Sequence, residues 1–274
     1  MFLRSPIPFP DVPLETKERM RLRCPRDHVA DALTSGTTSN NSFTFEIRDV
    51  IRAKSNTFSQ VFSGHVVDSK GRASVLHCLK LFDERIFSIR SCPTDDSAEE
   101  GLQWNPPHER LSVWKMAEDL ARNEEAAYSR LAGFQGGILS HCYGLHHFIL
   151  PGNYRCTGLI MEMIYDIHVS GENFKPFSKA EHKEIARHAM RVLRYGQILQ
   201  TDWHPKQILI PRRESSNKPL NLVFIDFAFS EQHIDISFSP LGQDLYKCRF
   251  IFMEATGDWG MVEDQWFPQD QHEW

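Results

Sequence analysis

The sequence predicts a two-lobed α+β fold, and three features carry that expectation. Period-two alternation of apolar and polar residues dominates the first part of the core. One amphipathic helical pattern interrupts it. Two short, continuous apolar runs then follow a helix-opening capping box. A β-rich half followed by a helical half around a buried hairpin reads as α+β. Length agrees, since 274 residues make one large domain or two small lobes.

The elements follow in order. Residues 1–42 read as a flexible N-terminal extension, with prolines at the start and a basic stretch of Lys17, Arg19, Arg21, Arg23 and Arg26. That stretch reads as a solvated helix face ahead of a dock for an acidic surface or an address, and a Ser/Thr/Asn/Gly linker follows it. The small lobe spans 43–163, with strands expected over 43–47, 61–67 and 74–82. The second and third are joined by the turn Asp68-Ser-Lys-Gly-Arg72. Polar residues 84–109 read as a long insertion. A helix over 110–133 carries the stripe Leu111, Trp114, Ala117, Leu120, Ala121, Tyr128 and Leu131. Two more strands are expected near 138–143 and 158–163, with Pro151-Gly152-Asn153 as a turn.

The second lobe spans 164–255. Ser178-Lys-Ala-Glu181 opens a helix that ends near Gly196. Strands 208–210 and 222–225 form the hairpin, and a last helix covers 241–254. Residues 256–274 form an acidic tail. From Glu254 onward there are six acids and no Lys or Arg, so the tail complements the basic stretch, or a basic partner.

Composition excludes several classes. Hydrophobic residues make up 41% and charged residues 24%, which rules out wholesale disorder. A net charge of −5 argues against nucleic acid or an anionic membrane as the main partner. The six cysteines are scattered with no C-x-x-C pair, and no membrane-length apolar run is present. The expectation is an intracellular protein, cytoplasmic or nuclear.

Four charged residues stand out. Asp226 follows the apolar run Leu222-Val-Phe-Ile225, where an ionised carboxylate is costly unless paired or metal-bound. Asp202 lies in the polar connection Thr201-Asp-Trp-His-Pro-Lys-Gln207, and the two aspartates flank the open end of one hairpin. Lys80 sits in an apolar strand and needs a counter-ion. Glu124 falls on the apolar stripe of the helix between Leu120 and Tyr128, whereas Glu125 falls beside it, so Lys80 and Glu124 make an inward-facing pair. A zinc cluster of His141, Cys142, His146, His147 and Cys156 is the rival site. Its spacing fits a hairpin's core and surface residues better than a zinc ribbon.

These residues, in this order, resemble the protein-kinase-like superfamily, with a catalytic loop similar to that of aminoglycoside and choline kinases. Leu76-His-Cys-Leu-Lys80 resembles the family's lysine strand, and Asn123-Glu124 its glutamate helix. Leu159-Ile-Met-Glu-Met-Ile164 resembles the hinge, Thr201–Gln207 the catalytic loop, and Ile225-Asp-Phe-Ala228 the metal-binding segment. Asp244-Leu245 resembles the start of a second-lobe helix. The likeness covers about 43–255, and the outline is that of short fungal kinase-like proteins.

The resemblance implies a small β-rich lobe, a reduced helical lobe and phosphoryl transfer from ATP with Mg²⁺. Lys80 would hold the α/β-phosphates and Glu124 would orient it. Asp226 would bind the metal with Gln207 as second ligand, and Asp202 would serve the acceptor hydroxyl. Phe58, Val61, Met161, Glu162 and Ile164 would surround the nucleotide, Met161 as gatekeeper. The acceptor, or a protein partner, is left open.

There are departures. Lys54, Asn56 and Ser59 stand where phosphate-cradling glycines are expected, which makes Lys54 a substitute phosphate contact. Gln200, Thr201 and Ala228 replace the family's residues around the two aspartates, and the Gln200 and Ala228 changes are expected to loosen their support. These departures keep two alternatives open: a pseudokinase acting as a binding scaffold, or a truncated kinase-like fragment.

Overall fold

The structure is a computed structural model, and it describes residues 25–34, 42–53, 57–87, 116–168, 178, 192–193, 195–200, 202–211, 222–232, 250–251 and 253. The chain divides into two compact units. Asp27–Arg122 with Tyr143–Met161 form the sheet unit. Met1–Arg26, Asn123–Cys142 and Glu162–Trp274 form the hairpin unit.

The sheet unit is built on five strands: β1 (Thr44–Arg52), β2 (Gln60–Val67), β3 (Ala73–Phe82), β4 (Cys142–Leu150) and β5 (Tyr154–Glu162). They lie antiparallel in the order β1-β2-β3-β5-β4. Of the expected strands 138–143 and 158–163, the first begins only at Cys142 and runs on to Leu150, and the second spans Tyr154–Glu162; the two form a hairpin because Pro151-Gly152-Asn153 makes a tight reversal. Gly152 at φ 83° and Asn153 at φ 62° take left-handed conformations that these two residue types tolerate. Gly64 has a different reason. A Cβ there would meet the Glu46 carbonyl oxygen at 2.2 Å, so only glycine lets β1 and β2 run together.

Residues 25–34, read from sequence as part of the extension, contain a helix, α1 (His28–Thr34). Asp27 caps it, accepting from Val29 and Ala30 N–H at 3.0 and 2.9 Å. Its other oxygen accepts from Val75 N–H on β3. Ala30 is fully buried in a core with Val66, Leu79, Leu81, Tyr143, Cys156 and Ile160. A small residue at this point lets the short helix lie flat on the sheet.

Helix α2 (Ala117–Arg130) is the described part of the helix expected over 110–133. Its expected stripe is buried at Ala117, Leu120, Ala121, Tyr128 and Leu131, while Leu111 and Trp114 lie outside the described residues. Glu84, in the 3-10 turn Glu84–Ile86, accepts from Ala117 N–H at 3.0 Å and so caps α2 from a distance.

The hairpin unit has short strands: β6 (Asp166–His168), β7 (Ile198–Leu199), β8 (Ile208–Pro211), β9 (Val223–Phe224) and β10 (Glu231–Gln232). β8 pairs antiparallel with β6 and β9, and β7 with β10. The expected hairpin is therefore present, and Ile164, Leu209 and Val223 form its core. Of the helix expected from 178 to 196, residues 192, 193, 195 and 196 are described as helical. Of the helix expected over 241–254, the same is true of 250, 251 and 253. The rest of both helices, Asp244-Leu245, the basic stretch from 17 to 23, the insertion from 88 on and the acidic tail lie outside the described residues.

Candidate functional site

The predicted site residues fall into both units, and each set is described in its own. In the sheet unit, Lys80 lies on β3 with register partner Val61 on β2. It is 4% exposed, because both faces of the sheet are covered at the end of β3. Its Nζ sits 5.3 Å from the Phe82 ring centroid, within cation–π range. Phe58 is exposed and meets Phe87 edge-on at 5.3 Å. Ser59, at an expected glycine position, is buried, and its hydroxyl accepts from the Arg52 guanidinium at 2.7 Å. Its side chain thus ties β1 to β2 where a glycine would leave the backbone open. Lys54 and Asn56 lie outside the described residues.

Met161 is buried at the end of β5. Beyond it, in the hairpin unit, Glu162 and His141 bond reciprocally. The Glu162 N–H donates to the His141 carbonyl at 2.8 Å, and the Glu162 carboxylate accepts from His141 N–H at 3.0 Å. The Glu162 N–H is therefore committed within the protein. Ile164 is buried in the hairpin core.

Glu124 lies on α2 and is 0% exposed. Its neighbour Asn123 holds the chain after Asp226: Nδ2 donates to the Ala228 and Ser230 carbonyls at 3.0 and 2.6 Å. Gln232 closes the clamp, donating to the Asn123 carbonyl at 3.0 Å. One turn on, Tyr128 packs edge-to-face on Phe227 at 5.5 Å. Burial, then the Glu124 charge, push the Tyr128 hydroxyl well above its usual range. Asp226 adds to this, and a hydrogen bond from Ser140 opposes it. Sequence reasoning missed Asn123 and Gln232, since nothing in their local pattern distinguishes a clamp from a surface amide.

Asp226 is half-buried beyond β9 with φ 69°, a left-handed conformation that Asp adopts more readily than most residues. Gln200 donates from Nε2 to the Asp226 carbonyl at 2.8 Å. Gln200, expected to loosen the support of the two aspartates, thus bonds the backbone of one of them: a glutamine amide has the reach and the donor to hold that carbonyl. Asp202 is exposed, in the connection between β7 and β8. The connection closes on a 3-10 turn, Pro205–Gln207, where Gln207 Oε1 accepts from His204 N–H at 3.1 Å. The Gln207 carbonyl accepts from Ile225 N–H at 3.0 Å, so the hairpin brings the Asp202 loop and Asp226 to the same end.

The rival metal cluster is used differently. The Cys156 thiol donates to the Phe82 carbonyl at 2.8 Å, and burial pushes its pKa up to about 12. A metal ligand must be a thiolate. His147 Nδ1 lies 3.4 Å from the Thr157 hydroxyl across the β4–β5 hairpin. Among the described residues no group of three or more His, Cys, Asp or Glu side chains is arranged to hold a metal. Among them, too, no helix is long and apolar enough to cross a membrane.

No protein-family model matches the chain, and comparison with curated proteins finds no match. Among solved structures it is similar to the Rio2 kinase of Chaetomium thermophilum, in a crystal structure described as an ADP/Mg²⁺-phosphoaspartate complex. Identity is 15% and the TM-score 0.44, over 76% of this chain and 56% of that one. The chain thus spans little more than half the length of that kinase.

Proposed function

We propose that the protein is a kinase-like ATP-binding phosphotransferase that moves the γ-phosphate to a hydroxyl acceptor. The observation that carries the reading is the buried Glu124 beside the Asn123 clamp, which fixes the segment running on from Asp226. A fully buried carboxylate is retained at a cost unless it serves a cation. Lys80, buried on β3, is that cation in this reading and holds the α/β-phosphates. The nucleotide lies against Phe58, Val61, Met161, Glu162 and Ile164. Since the Glu162 N–H is committed to His141, adenine would be met by the Glu162 carbonyl and by Ile164.

Asp226 offers a charged, hard oxygen of the kind Mg²⁺ prefers, and bound Mg²⁺ would neutralise charge on the phosphates. Asp202, exposed on its loop, orients or deprotonates the acceptor hydroxyl. Positioning and electrostatics supply most of phosphoryl transfer, so the presence of these four charges supports the reading.

A second reading, a nucleotide-binding scaffold without turnover, is favoured by the Arg52–Ser59 bond, which fills space that a phosphate-cradling loop leaves open.

Thermal shift tests the nucleotide site that both readings share, and turnover separates them. Mg·ATP at a hundredfold above Kd should stabilise the protein by about 2.7 kcal/mol, and Lys80→Ala should abolish the shift. An intact protein that shows no shift at millimolar Mg·ATP rejects both readings. Turnover that Asp202→Ala lowers by about 10²-fold with unchanged ATP affinity selects the enzyme.

A further inference from the structure

Gln207 stands where the resemblance implies a second metal ligand, yet its amide is poorly arranged for a cation. Its Oε1 accepts from His204 N–H. The donor dictates which end of the amide lies there, because a backbone N–H meets only the oxygen. The other end, Nε2, is sealed from solvent and has no hydrogen-bond partner among the described residues. That end carries two N–H dipoles pointing outward, which repel a cation. Gln207 is 1% exposed, and its amide is bonded through the oxygen alone, across a short turn.

What Gln207 does hold is backbone. Its N–H donates to the His204 carbonyl at 3.0 Å while its Oε1 takes the His204 N–H, so the two residues are latched in both directions. Its own carbonyl accepts from the N–H of Ile225, the residue before Asp226. One residue therefore grips the loop that carries Asp202 and the strand end that carries Asp226. The latch needs the reach of glutamine. Asparagine, one methylene shorter, would not bring its oxygen to the His204 N–H from the same backbone position.

We infer that Gln207 is a positioning residue rather than a metal ligand, and that it sets the two aspartates of the hairpin relative to each other. The inference rests on the phosphotransfer reading for the roles of those aspartates. It leaves Asp226, of these two implied ligands, as the one that would hold a divalent ion. It also means that an asparagine at 207 would lose the latch rather than serve the site.

The test uses the full chain with Gln207→Leu, Gln207→Asn and Gln207→Glu. Amide hydrogen exchange at His204, measured without nucleotide, reads the latch directly. Mn²⁺ affinity in the presence of ATP reads the metal. We expect Leu and Asn to lose His204 protection alike, by about tenfold or more, and to leave the Mn²⁺ Kd within twofold. Glu, which keeps an oxygen at the same reach, should retain the protection, and this rescue separates a lost latch from general unfolding. The inference is overturned if Leu weakens Mn²⁺ tenfold or more while Asn keeps it, or if His204 protection survives in Leu. A wild type that binds neither ATP nor Mn²⁺·ATP would instead sink the functional reading, and the exchange data would still decide whether Gln207 latches the loop.

Discussion

The sheet unit and the hairpin unit both have to pair buried backbone groups, and they do it by different means. In the sheet unit the ladder does most of the pairing, through strands of eight to ten residues. A side chain steps in where the ladder slips. The register shifts between His65 and Val67, and there Ser74 Oγ accepts from Val66 N–H at 2.9 Å. In the hairpin unit β7, β9 and β10 have two residues each, so much of the backbone lies beyond any ladder. Side-chain amides fill in: Asn123 on the carbonyls of 228 and 230, Gln200 on Asp226, Gln207 on His204. Gln135 spans Tyr128 and Cys142, donating to one carbonyl and accepting from the other residue's N–H. A region that must present loops rather than strands keeps its order through amides, which can both donate and accept.

Removing an amide should therefore be the most damaging polar deletion in the molecule. Gln135→Leu removes the bonds to the Tyr128 carbonyl and the Cys142 N–H, each loss costing roughly 1–3 kcal/mol. We expect a loss of about 4 kcal/mol by urea unfolding. A loss below about 1 kcal/mol would break the contrast between the units.

The sheet unit should instead be vulnerable through its backbone. Gly64→Ala places a methyl against the Glu46 carbonyl, which cannot withdraw without parting β1 from β2. Overpacking of this kind costs about 3 kcal/mol. Hydrogen exchange should quicken along β1 and β2 in this variant and not in residues 222–232. Uniform acceleration across both units would mean that they unfold as one and that the distinction has no energetic content.

The smallest effect concerns charge. The Arg85 guanidinium beside Asp83 holds that carboxyl below its usual range, with burial opposing and the Arg85 N–H assisting. A carboxylate with a depressed folded pKa contributes stability above its unfolded pKa, near 4, and loses it as pH falls through the folded value. Arg85 is half-exposed, so solvent screens the pair. Asp83→Asn should cost about 1 kcal/mol at pH 7. The gap between variant and wild type should close as pH drops below 4, in unfolding measured at both pH values. A gap that does not narrow at all between pH 7 and pH 3 would assign the effect to packing.

Strands β1 to β3, the helix stripe and the β8–β9 hairpin were legible in the sequence, because alternation and 3.6-residue periodicity are local records of burial. The sequence also singled out Lys80, Glu124 and Asp226 as charges in apolar surroundings, and all three are buried or half-buried. The extent of the β4–β5 hairpin was less legible, since Cys142–Leu150 mixes exposed and buried residues without strict alternation. The tertiary structure alone decided what the polar residues do. Ala30 became core because a short helix lies on the sheet. Gln200 became a support and Gln207 a latch because unpaired carbonyls and N–H groups came within their reach. An amide looks the same in sequence whether it faces water or a carbonyl. Its role follows from which backbone groups the short strands leave unpaired, and that is known only once the chain has folded.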